Sequence, residues 1–260
     1  MPVPPPTPDD LPPLPRYLQL LWDQEPPGRR GPRRTRTIQE VGGAAVALAD
    51  RSGLDAVSMK AVAGELGLTT MSLYRYVDSK DELSAVMLDL AFGEPDLAAV
   101  TTGPWRTRLE AWARGLVASC RRHPWSVDVV LTSPPLSPNA LAWTDAGLRA
   151  LEDTRLTTQQ RLSGLLALDG YVRNFVRTTR QLGLLPGEGE TVSDEARRYS
   201  VRLAEVVDAE RLPALAAAQS GFEDDEGEDF FETELAFGLS VFLDGLERLE
   251  RSAPENVENA

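Results

Sequence analysis

Cysteine and histidine are almost missing from this chain of 260 residues, one of each, and lysine occurs only at positions 60 and 80. A single cysteine, Cys120, excludes an intrachain disulfide and any cysteine-based structural zinc site, which leaves a buried structural thiol as its role. Because His123 is the only histidine, nucleophile–histidine catalysis could use that residue alone, and no two-histidine metal site can form within one chain. Long hydrophobic runs are absent as well: no apolar stretch approaches the roughly 20 residues that a membrane span needs. The chain begins with proline and acid, unlike the basic and apolar regions of a signal peptide. A soluble, cytoplasmic protein is the expectation. With no G-x-S-x-G elbow, P-loop or HExxH, the sequence points away from an enzyme, and neither a cofactor nor a metal is expected.

The net charge of -13 argues at first against nucleic acid. Whole-chain charge hides its distribution, however. Residues 1–80 hold 10 basic and 9 acidic side chains, so the remaining 17 basic and 31 acidic ones put nearly all of the acidity after residue 80. Within residues 28–36 stand Arg29, Arg30, Arg33, Arg34 and Arg36 with no acid between them. A local basic arm therefore precedes whatever begins at residue 37.

Residues 1–32 contain eleven prolines, which remove backbone donors and resist helix, so most of this stretch reads as a flexible or polyproline arm. Arg16 to Gln24 interrupts it: Leu18, Leu21 and Trp22 stand at helical spacing, consistent with a brief amphipathic turn that docks or with an apolar patch in a flexible tail. From Thr35 the pattern changes. Ile38, Val41, Ala45 and Leu48 form one helix face closed by Gly53,. Ser58 can cap a short helix over Met59–Leu66 that Gly67 stops, and Thr69 or Thr70 can cap another through Tyr76,. Ser79 and Glu82 make a capping box for a helix along Leu83, Met87 and Leu90,. Two short helices joined by a tight glycine turn are the geometry of a helix-turn-helix. Beyond Pro95 further helices are expected at about 104–122, 124–131, 138–152, 157–183, 194–218 and 228–250, with no strand alternation; Gly187–Glu190 and the acidic run Glu223–Asp229 read as solvated loops,. The expected organisation is all-α: a flexible arm over 1–32, a three-helix DNA-binding domain over 33–80, and a larger helical domain over 81–260.

The stretch Leu54–Leu83 (LDAVSMKAVAGELGLTTMSLYRYVDSKDEL) resembles the DNA-binding domain of the tetracycline-repressor (TetR) family. The shared features are a G-L lead, an S/T-x-x-x-V/L-A-x-x-L-G-V/L run and an S/T-L-Y-x-Y/H-V/F-x-x-K-x-x-L close. A weaker likeness to the family's C-terminal domain covers about residues 104–180 and Phe237–Leu249. The resemblance implies a DNA-binding transcriptional regulator in which Thr70, Met71 and Ser72 meet bases while Tyr74 and Lys80 reach phosphates. Lys60 matches a position where the family often carries a cation. Chemistry supports this reading independently, because the front of a recognition helix needs short polar or methyl-bearing side chains, and Thr69, Thr70, Met71 and Ser72 supply them. Lys80 as a mere solvated charge sits poorly at a helix start, where the macrodipole opposes a cation. Arg33, Arg34 and Arg36 are placed to follow the DNA beside the first helix.

For the larger domain, the resemblance implies a ligand pocket and a dimer interface made by the last long helices. Matching places Trp112, Leu116, Val130, Ser133 and Leu165 on the pocket wall. Tetracycline-binding members use a histidine and a later glutamate where this chain has Val130 and about Thr178, so tetracycline with magnesium is not the expected effector. Asp169, which interrupts the apolar run Leu165–Val172, either pairs with Arg173 or meets a cationic ligand group. The reading that accounts for most of the sequence is a homodimeric repressor on a palindromic double-stranded operator, released by a largely apolar small-molecule effector.

Overall fold

A computed structural model describes residues 11–24, 35–185, 201–219 and 230–252. All regular structure among them is helical. Two compact units divide the chain: one takes in the chain up to Pro95 together with Asp128–Ala146, the other Asp96–Val127 and the chain from Gly147 onward.

The first unit starts with α1 (Arg16–Leu21), whose Leu18 and Leu21 are buried. Of the two readings of this segment, docking is the one the structure adopts: α1 lies against α2 (Ile38–Ser52) and α5 (Lys80–Phe92). A reciprocal capping box opens α2, with the Thr37 hydroxyl accepting from the Glu40 N–H and the Glu40 carboxylate accepting from the Thr37 N–H at 2.7 Å. It satisfies two of the otherwise orphan donors of the helix start. Ile38, Val41, Ala45 and Leu48 are buried on the face that the periodicity marked. Gly42 faces Leu90 and Val86 of α5 so closely that any Cβ there would overlap them. A single 3₁₀ turn (Leu54–Ala56) leads to α3 (Met59–Glu65), capped by the Ser58 hydroxyl, and α4 (Thr70–Leu73), capped by Thr69. Between them Gly67 takes φ +66, a left-handed conformation that favours glycine. α4 is shorter than the sequence suggests, because the Arg75 and Tyr76 N–H groups bond three residues back, to Ser72 and Leu73. Such bonds tighten the last turn and end the α-helical ladder.

Ser79 caps α5, which ends at Gly93. Its buried residue Asp89 accepts hydrogen bonds from the N–H groups of Asn139 (2.8 Å) and Ala140 (3.3 Å) and from the Asn139 side-chain amide, so it caps α8 (Pro138–Ala150) from outside that helix. Trp143 adds a bond from its indole N–H to the Gly93 carbonyl at 2.9 Å.

In the second unit the short α6 (Leu97–Thr101), capped by Asp96, was not anticipated. Next come α7 (Trp105–Arg122) and a 3₁₀ stretch (Pro124–Asp128), shorter than the helix expected at 124–131. The long helices α9 (Thr158–Gln181) and α11 (Phe230–Ser252) pack with α7. Tyr171 and Phe175 of α9 meet Phe242 and Phe231 of α11, with ring centroids 5.3 and 4.9 Å apart. The helix expected over 194–218 is interrupted where it is described: residues 201–206 are helical, and a turn at 207–212 precedes α10 (Pro213–Gln219). Proline cannot donate to a helix already running, but it suits a first turn. Gly187–Glu190 and Glu223–Asp229 lie outside the described residues.

Candidate nucleic-acid interface

Thr69 ends an extended approach to α4 and turns its hydroxyl back on the helix, accepting from the Ser72 N–H at 3.2 Å and sharing a hydrogen bond with the Ser72 hydroxyl at 2.9 Å. These two hydroxyls therefore shape the helix start. Thr70 is half-buried, whereas Met71 is 76% exposed. An apolar side chain that open to water, on a one-turn helix fixed at its start, suits contact with a thymine methyl or another apolar edge. Leu73 is fully buried and joins Val62, Val77 and Leu83 in the core.

The same unit carries exposed groups of the kind that reach phosphates. Tyr74 caps the C-terminus of α4 and is 40% exposed. Lys80 is the first residue of α5 and Lys60 the second of α3, and both are exposed. Arg36 is exposed at the base of the arm. Its guanidinium pairs with Glu40 at 3.0 Å, and its backbone N–H donates to the Tyr76 hydroxyl at 3.1 Å. The pairing, together with the Thr37 backbone N–H, holds the Glu40 carboxyl below the usual carboxylate range, the backbone bond being the larger cause. The other arm residues named from sequence, Arg33 and Arg34, lie outside the described residues. Thus α3, α4 and the start of α5 carry Lys60, Thr69, Thr70, Met71, Ser72, Tyr74 and Lys80 within one unit.

The residues named for a ligand fall into two groups. Trp112, Leu116 and Leu165 are buried in the second unit, where Gly147 faces both Leu165 and Trp112. Val130, 81% exposed, and Ser133, also exposed, belong to the first unit. Asp169 is paired with Arg173, both carboxylate oxygens lying 2.9 Å from Nε. Cys120 is buried, and burial pushes its thiol up to about 11. Sequence reasoning missed Asp89 and the partners of α1. A buried acid in an apolar helix was the available signal for the first, and nothing local marked the second.

The chain matches two family models: "Bacterial regulatory proteins, tetR family" over residues 43–87 and "Tetracyclin repressor-like, C-terminal domain" over residues 97–249. Neither includes α1. It is 39% identical over 238 residues to the HTH-type transcriptional repressor DrrR1 of Streptomyces coeruleorubidus, an alignment covering 90% of this chain and 86% of that one. It is 32% identical to an HTH-type transcriptional regulator of Saccharopolyspora erythraea over 52% of this chain and 58% of that protein. Among solved structures, Streptomyces coelicolor ActR in complex with actinorhodin shares the fold with a TM-score of 0.69 at 20% identity, over 86% of this chain and 99% of that one. The chain belongs to the TetR family of helix-turn-helix transcriptional regulators.

Proposed function

We propose that this regulator acts as a homodimeric repressor whose two α4 helices read successive major grooves, and which a small, largely apolar molecule releases from its operator. The observation that carries the reading is the short helix α4 with Met71 open to solvent, in one unit with the exposed Lys60, Tyr74 and Lys80. Thr70, Met71 and Ser72 specify sequence, while Arg36, Lys60, Tyr74 and Lys80 position the protein on the backbone; Arg33 and Arg34 extend that role along the arm. A single four-residue helix makes too few base contacts to be selective, and two-fold symmetry doubles them.

Pairing is supported by the outer faces of the long helices. Leu162 and Leu166 of α9 and Phe237, Val241 and Leu249 of α11 are exposed, while Phe231, Leu235, Leu239, Leu243 and Leu246 of α11 are buried within the unit. A helix apolar on two sides needs a partner for the second. For the effector, Trp112, Leu116 and Leu165 supply an apolar lining within the second unit. Release by a ligand requires only that it bind the DNA-incompetent arrangement more tightly than the competent one.

The test is fluorescence anisotropy of the protein bound to its operator duplex, titrated with a panel of polycyclic aromatic metabolites that includes actinorhodin. Dissociation by at least one compound, which also raises the melting temperature of the free protein, is the expected result. Compounds that raise the melting temperature while leaving the complex intact would refute release.

A further inference from the structure

The helix α1 has no place in the reading surface or the effector site, yet it is built into the DNA-binding unit at several points. Leu18 and Leu21 are buried on the side facing α2 and α5. The Arg16 guanidinium donates to the carbonyl of Arg75, just past the end of α4, at 3.4 Å. Immediately after the helix, the Trp22 indole N–H donates to the Leu136 carbonyl at 2.8 Å. Six residues of helix span about 9 Å, so a short element held in place by its buried leucines ties the end of the reading helix to the chain just ahead of α8.

That tie bears on DNA reading because α4 is a single turn. One turn has no stiffness of its own, and its pose is set by whatever holds its two ends. Thr69 holds the first end. At the second, the Tyr76 hydroxyl receives the Arg36 N–H and the Arg75 carbonyl receives Arg16. Base-edge hydrogen bonds weaken steeply with misalignment, whereas attraction to phosphates falls off gently with distance. A loosened α4 therefore loses discrimination before it loses affinity for DNA in general.

We propose that α1 is a positioning strut for sequence reading, in which Arg16 and Trp22, without touching DNA, fix the C-terminal end of α4 so that Thr70 and Met71 meet the bases in one pose. The proposal rests on the reading of α4 as the recognition helix, which the selection of a duplex by the unaltered chain tests first.

The experiment uses the full chain carrying Trp22→Phe, which keeps the ring and removes the N–H, Arg16→Met, which removes the donor, and Arg16→Lys, which keeps one. Affinities are measured across a salt series for a duplex selected by the unaltered protein from a random pool and for a scrambled duplex of equal length, with folding checked by circular dichroism. Trp22→Phe and Arg16→Met should each weaken the selected duplex about threefold to tenfold, the range of one hydrogen bond. The scrambled duplex and the salt slope should be unchanged, and Arg16→Lys should recover most of the loss. A role confined to stability would lower the melting temperature and leave the ratio of the two affinities as it was. If Arg16 instead neutralised a phosphate, its removal would weaken both duplexes and flatten the salt slope by about 0.9 per phosphate. Either result overturns the proposal.

Discussion

Met71 and Leu73 sit two positions apart on one turn of helix, yet one is open to solvent and the other fully buried. Under the proposed reading, that difference separates contact with DNA from packing at the scale of single residues. Replacing Met71 by alanine should change which base is preferred beneath it, removing up to the roughly 1–3 kcal/mol that one mismatched base pair costs, and leave binding to scrambled DNA as it was. Tyr74→Ala should instead weaken every duplex alike. Selection experiments on both variants check this, and equal losses on all sequences for Met71→Ala would remove it from the reading surface. The helix starts were legible in the sequence because capping is local: Thr69, Ser58 and Ser79 each cap the helix expected of them. Cys120 was equally legible as a buried thiol. Its ordinary value of 9.0 is pushed up to about 11 by burial, so the folded chain keeps its proton at a pH where the unfolded chain has lost it. The stabilising contribution is fully present below pH 9 and is lost as the pH rises through 11,. Thiol reagents at pH 8 should accordingly label Cys120 only as fast as the protein opens, and rapid labelling of the native protein would contradict its burial.

Among the elements, α8 is held at both ends by charges from other helices. Asp89 of α5 accepts from the N–H groups at its start, and Arg108 of α7 donates through Nε to the Ala150 carbonyl at its end, 3.2 Å away, while pairing with Asp153 at 2.8 Å. Acid at the N-terminus and cation at the C-terminus both suit the helix dipole. Asp89→Ala should leave the Asn139 and Ala140 N–H groups without that acceptor and cost about 1–3 kcal/mol, measured by urea unfolding; a change within error would show that water replaces the carboxylate at no cost. Burial raises the Asp89 carboxyl above its ordinary value, so the fold favours the protonated acid, and the cost of ionising it there offsets part of the capping gain as pH climbs through the folded value,. This arrangement could not be read from sequence, since Asp89 and Asn139 are 50 positions apart and only folding makes them neighbours. The same holds for α1, whose apolar spacing was visible but whose partners Arg75 and Leu136 were not. By contrast, the bounds of α2, α3, α5 and α9 follow from caps and glycines within a few residues of each end.

For the whole molecule, the proposed pairing and DNA binding rest on the uneven charge along the chain and on the exposed apolar side chains of α11. Phe237 is 67% exposed on the side of α11 opposite its buried residues, and an introduced charge there should prevent association without disturbing the core. Phe237→Glu should therefore run as a folded monomer in light scattering at micromolar concentration and lose most of its affinity for a palindromic duplex. A Phe237→Glu dimer that binds normally would place the interface elsewhere. The proposed pairing makes a geometric demand on the DNA, since two symmetric readers must find two inverted half-sites on one face of the duplex. Selecting duplexes with the full chain from a random pool, and sequencing those retained, tests this most directly. The account predicts one enriched motif made of two inverted half-sites with centres about 34 Å apart, or a multiple of that spacing. A pool that enriches no motif, or only a single unpaired half-site, would contradict it.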